Sequence, residues 1–137
     1  MEKLIEQIIE LEWEFFQSTN NEGGTASCQE DHQTFVIMRG AQFSCFSREL
    51  LQSWLRDLQR AKEEGRNLIA EKYARMMEST APERYRELAP YLIQHNAERL
   101  AITEEIIKIQ VEWLMECQER YPAIIAKARP IHTSEDT

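Results

Sequence analysis

Every long segment of this sequence spaces its apolar residues three or four apart, and no clear alternating strand pattern competes. Over Lys3 to Gln17, Leu4, Ile5, Ile8, Ile9, Leu11, Phe15 and Phe16 fall on one helical face. Asn20-Asn21-Glu22-Gly23-Gly24 breaks that helix. Ser27, with Glu30 three residues on, reads as a capping box that starts a second helix through Phe35, Val36, Met38 and Phe43. Gly40 is its weak point, and Val-Ile-Met at 36–38 is the one place for a short strand. Ser47 caps a third helix that ends at Gly65, and a fourth spans Asn67 to Ser79. Pro82 and Pro90 suit helix first turns, and from Pro90 a long helix runs to Tyr121. The expected fold is therefore all-α, a single-domain bundle of about five helices over residues 1–129, with 130–137 a flexible tail.

A chain of 137 residues can bury one core. Apolar residues make up 42% and charged residues 29%, the balance of a soluble globular protein. No apolar run approaches the roughly 20 residues of a membrane span, and the acidic start MEKLIEQIIE does not read as a signal peptide. Cys28, Cys45 and Cys117 are widely spaced and form no CxxC pair, which points to a reducing, cytoplasmic compartment. The net charge of −8 argues against nucleic acid as a partner. The charge is uneven: residues 1–31 carry one base and eight acids, residues 39–75 eight bases and five acids. The basic middle suits either an anionic small molecule or internal pairing with the acidic first helix, and the second reading is favoured.

Glu12 lies near the centre of the first helix's apolar stripe. A carboxylate there is either paired with an arginine in an internal salt bridge or serves as a general base or a ligand anchor. Arg99 is a plausible ion partner, because Asn96, Arg99, Thr103 and Gln110 would line one face of the last helix. That polar line is either a hydrogen-bonded network or a pocket wall. The line runs within the apolar face that Ile102, Ile106, Ile109, Trp113, Leu114 and Cys117 make on the same helix, and Glu104, Glu105, Lys108, Glu112, Glu116 and Glu119 make the opposite face.

In EKYARMMEST, Glu71, Arg75 and Glu78 share one face, and Ile69, Tyr73, Met76 and Met77 the other. An arginine between two carboxylates is either an exposed ladder or an anion anchor beside an acid, with Lys72 and Tyr73 as proton donors. Cys28 and His32 stand one helical turn apart, a spacing compatible with a nucleophile–base pair but common by chance. With His95 and His132 far off, they do not make a zinc set, so neither a metal nor a cofactor is expected.

LEWEFFQ, GGTASCQ, the Arg39–Gln42 stretch, GRN at Gly65 to Asn67 and EKYARMMESTAP resemble the signature blocks of a prokaryotic family of domains of unknown function. The similarity covers essentially the whole chain. It brings no established activity. It implies that Glu12, Trp13, Cys28, Gln29, Arg39, Gln42, Glu71 to Arg75 and Glu78 are what such proteins share, and this mostly polar set leans towards function. It also implies relatives that continue past the segment resembling ARPIHTSEDT.

Together these residues predict a small enzyme or binder for a polar, carboxylate-bearing molecule. Glu12, Glu71, Tyr73 and Cys28 are the candidate catalytic groups, and Gln29, Arg39, Gln42, Lys72, Arg75 and Glu78 the candidate binding groups. The alternative is a non-catalytic interaction or oligomerisation module in which the same groups form a buried network. Self-association is open under either reading.

Overall fold

A computed structural model describes residues 1–19 and 29–128. Among these the chain is all-α: α1 Glu2–Gln17, α2 His32–Phe43, α3 Arg48–Glu63, α4 Leu68–Thr80, α5 Pro82–Leu88, α6 Ala97–Arg120 and α7 Pro122–Ile125. Seven helices stand where about five were expected, because Pro82 and Pro122 each open a short helix at N1. Backbone contacts divide the chain into two compact units, residues 1–92 and 93–137. The expected tail and the Ser27 capping box lie outside the described residues.

In the first unit α1 is the central strut and packs against α2, α3 and α4. Its apolar stripe supplies Ile8, Ile9, Phe15 and Phe16 to the core. Across from them sit Phe43 of α2, Leu51, Leu58 and Ala61 of α3, and Ile69 of α4. Trp13 and Trp54 pack against this core. Trp13 meets His32 edge-on with ring centroids 4.7 Å apart, and Phe16 stacks on Phe35 at 5.3 Å. Val36 to Met38 are helical rather than a strand, and all three are exposed.

Local chemistry sets the helix ends. Asp31 accepts a hydrogen bond from the Thr34 amide and caps α2, so that helix starts at His32. The backbone and hydroxyl donors of Thr34 hold the Asp31 carboxyl below its ordinary range. Ser47 caps α3 through the Leu50 amide at 3.3 Å. At the other end of α3, Gly65 has φ +69°. Its amide donates to Lys62 O, and the Arg66 amide to Ala61 O at 2.8 Å, the paired bonds of a Schellman motif. Because a Cβ in this left-handed region is strained even with open space around it, Gly65→Ala should cost about 1–2 kcal/mol. Thermal denaturation would read this as a lowered Tm, and an unchanged Tm would refute it.

The second unit contains α6 and α7. Its long helix begins at Ala97 rather than Pro90. Pro90 sits in a 3-10 turn, Ala89–Tyr91, Leu92 is extended, and Asn96 caps α6 by accepting from the Arg99 amide at 2.8 Å. An asparagine side chain that competes for backbone amides favours the cap over the helix interior. The expected inward line of Asn96, Arg99, Thr103 and Gln110 is therefore corrected: Asn96 is the cap, and all four are exposed. No described helix is long and apolar enough to cross a membrane.

Candidate functional site

Glu12 is the organising group of the first unit. Its side chain is 0% exposed, at the centre of the α1 stripe where the periodicity places it. The partner comes from α2, however, and is Arg39 rather than Arg99. Arg39 Nε donates to Glu12 Oε2 and Nη2 to Oε1, both at 2.6 Å. Trp54 of α3 adds a third bond, from Nε1 to Oε1 at 2.9 Å. One carboxylate thus joins three helices. The two-pronged geometry is the strongest form of an arginine–carboxylate pair. It answers the desolvation that an unpartnered carboxylate would suffer here.

Arg39 faces outward from this pair, with its side chain 25% exposed. Nη1 donates to Gln42 Oε1, one helical turn along α2, and the guanidinium lies 4.7 Å from the Phe43 ring centroid. Beyond it opens a cleft of about 290 Å³ lined by Arg39, Gln42, Phe43, Phe46, Leu50, Leu51 and Trp54. An arginine carries five N–H donors. Glu12 and Gln42 engage one on each nitrogen, which leaves a second N–H on both terminal nitrogens for a further acceptor.

The EKYARMMEST residues lie elsewhere. Glu71 accepts from Arg66 Nε and Nη2, each at 2.9 Å, and Glu64 accepts from Arg66 Nη1 at 3.3 Å. Hydrogen bonding to Glu71 raises the Arg66 pKa above its ordinary value. Glu71 and Arg75 are half-buried, whereas Lys72, Tyr73, Met76 and Glu78 are exposed. The expected split into a polar outer face and an apolar inner face fails at Tyr73 and Met76, which are exposed, and at Glu71, which is half-buried and paired with Arg66. Lys72 Nζ lies 5.3 Å from the Tyr73 ring centroid, a surface cation–π contact. None of Glu71, Lys72, Tyr73, Arg75 or Glu78 lines the cleft.

Gln29 is buried at the C-terminal end of α1, away from the cleft lining. Its Nε2 donates to Phe16 O at 2.8 Å and Thr19 O at 3.0 Å, and its own carbonyl accepts from Gln17 Nε2. Asn67 reaches the same place: Oδ1 caps α4 at the Ala70 amide, 2.9 Å, while Nδ2 donates to Phe15 O at 2.7 Å. The last carbonyls of a helix have no partner within it. Gln29, Thr19 and Asn67 supply those partners, and in doing so they tie the Gln29 segment and α4 to α1. Sequence reasoning did not single out Asn67 as a double-ended residue. Its position directly after Gly65-Arg66 was the available signal.

Cys28 lies outside the described residues, and so does its proposed pairing with His32. Among the described residues, no three His, Cys, Asp or Glu side chains are grouped to hold a metal ion.

A family model described as "Protein of unknown function (DUF4125)" matches residues 2–137. The chain belongs to DUF4125. No curated protein and no solved structure matched it. Within this DUF4125 chain the expected family blocks take distinct places. Glu12 of LEWEFFQ, Arg39 and Gln42 meet at the cleft wall. Gln29 of GGTASCQ and Asn67 of GRN meet at the end of α1, and Arg66 of GRN clamps Glu71 of EKYARMMESTAP.

Proposed function

We propose that the first unit of this DUF4125 chain is a binding domain for a small molecule with an apolar body and one carboxylate or carbonyl end. The carrying observation is Arg39: among the described residues it is the one charged side chain in the lining of the cleft, and the buried Glu12 holds it in a fixed orientation. A guanidinium pinned from behind meets an incoming oxygen without first losing side-chain freedom, which favours binding. Phe43, Phe46, Leu50, Leu51 and Trp54 would pack the apolar body, and Gln42 steadies the guanidinium. Binding without catalysis is favoured because Glu12 and Glu71, the two candidate bases, each accept two hydrogen bonds from one arginine.

The test is thermal denaturation of the chain with 3-phenylpropionate, 4-methylpentanoate and the matching alcohols. A ligand at 100 times its Kd stabilises by about 2.7 kcal/mol. The acids should raise the Tm more than the alcohols. Leu50 is half-exposed at the rim of the cleft. Leu50→Asp should therefore leave the free protein's Tm nearly unchanged and abolish the acid-induced shift by repulsion. No shift with any acid, or a shift that survives Leu50→Asp, would remove the cleft as the binding site.

A further inference from the structure

The second unit carries an apolar seam that its own helices leave uncovered. Ile102, Ile106, Ile109 and Trp113 follow one another at spacings of four, three and four on α6, the a/d pattern of a coiled-coil strand. All four are exposed, from 47% at Ile109 to 63% at Trp113. Glu98, Glu105, Glu112 and Glu119 recur every seven residues along one edge of the seam, each exposed. No described cation pairs with any of the four. Along the other edge, at the same seven-residue interval, stand Thr103, Gln110 and Cys117, none of them charged.

A second copy of the chain complements this seam poorly. Antiparallel pairing sets glutamate edge against glutamate edge; parallel pairing sets the glutamates against Thr103, Gln110 and Cys117, with no opposite charge gained. A helix with an apolar seam and basic flanks matches both the seam and its acidic edge. From this juxtaposition we infer that α6 docks a basic amphipathic helix of another protein, in helix-to-helix register along Ile102–Trp113. The apolar seam gives the contact its place, and the glutamate row selects the partner's charge.

Two synthetic three-heptad peptides test this, both with leucine at a and d. One has lysine at e and g, the other glutamate, so like charges keep each from pairing with itself. The anisotropy of labelled peptide is followed as the whole chain is titrated in. The lysine peptide should bind, more weakly as salt rises, and the glutamate peptide at least about tenfold more weakly. Ile109→Glu should abolish binding. Exchanging Glu98, Glu105, Glu112 and Glu119 for lysine should invert the preference, with circular dichroism confirming that each variant remains helical. Equal binding of the two peptides, or binding that survives Ile109→Glu, would overturn the inference. So would a dimer of the free chain that Ile109→Glu dissociates, since the seam's occupant would then be a second copy.

Discussion

Arg39→Ala should destabilise the first unit by about 3–5 kcal/mol, the usual cost of leaving a buried carboxylate without its ion partner. Glu12 is fully buried, and after the substitution only the Trp54 indole N–H would remain to it. Removing both charges should be far milder. Glu12→Leu with Arg39→Met should recover most of the lost stability, since apolar side chains of similar size often replace a buried pair at little cost. Urea denaturation of Glu12→Leu, Arg39→Met and the double variant closes the cycle, with Arg39→Ala measured beside it. A loss under about 1 kcal/mol for Arg39→Ala would mean that Glu12 finds another partner or reaches water. The same cycle separates architecture from binding. If the double variant is as stable as the parent but no longer responds to carboxylates, the pair is present for the cleft and not for the fold.

Asn67→Ala carries the second-largest expected effect, about 2–3 kcal/mol. It removes the α4 cap, worth about 1–2 kcal/mol. It also removes the bond from Nδ2 to Phe15 O, worth about 1 kcal/mol. Asn67→Asp separates the two, because aspartate still caps α4 but offers no donor to the Phe15 carbonyl. Its loss should fall between the parent and Asn67→Ala. Hydrogen exchange should localise the effect, with amides early in α4 losing protection first. Equal losses for Asp and Ala would show that the cap contributes nothing and the tie to α1 everything.

Much of this arrangement was legible beforehand, for reasons that vary by residue. The α1 stripe and the burial of Glu12 followed from a 3.6-residue period alone, since a helix this amphipathic has one way to face a core. Ser47 and Gly65 were readable as the ends of α3 because capping and left-handed turns depend on residues adjacent in sequence. Internal pairing of the acidic first helix with the basic middle was foreseen in kind, and Arg39–Glu12 and Lys62–Glu14 realise it. The identity of Glu12's partner was not foreseen. Arg39 stands 27 residues away and Arg99 further still, and periodicity gives both a helical face without saying which helix becomes the neighbour. Tyr73 was expected on the inner face of α4 and is exposed, while Glu71, expected outside, is half-buried against Arg66: periodicity gives the two faces of a helix without saying which one its neighbours cover.

Sequence by itself determined the helical class, the helix ends set by local caps, and the presence of one carboxylate on a core face, because each depends on interactions within a few residues. Tertiary structure alone decided which arginine that carboxylate meets. It also decided that Gln29 and Asn67 fasten the end of α1 and that Arg39, Gln42 and Trp54 share a cleft. Those outcomes require helices far apart in sequence to be adjacent in space. The long-range packing of apolar faces that brings them together is blind to which polar side chain it carries along.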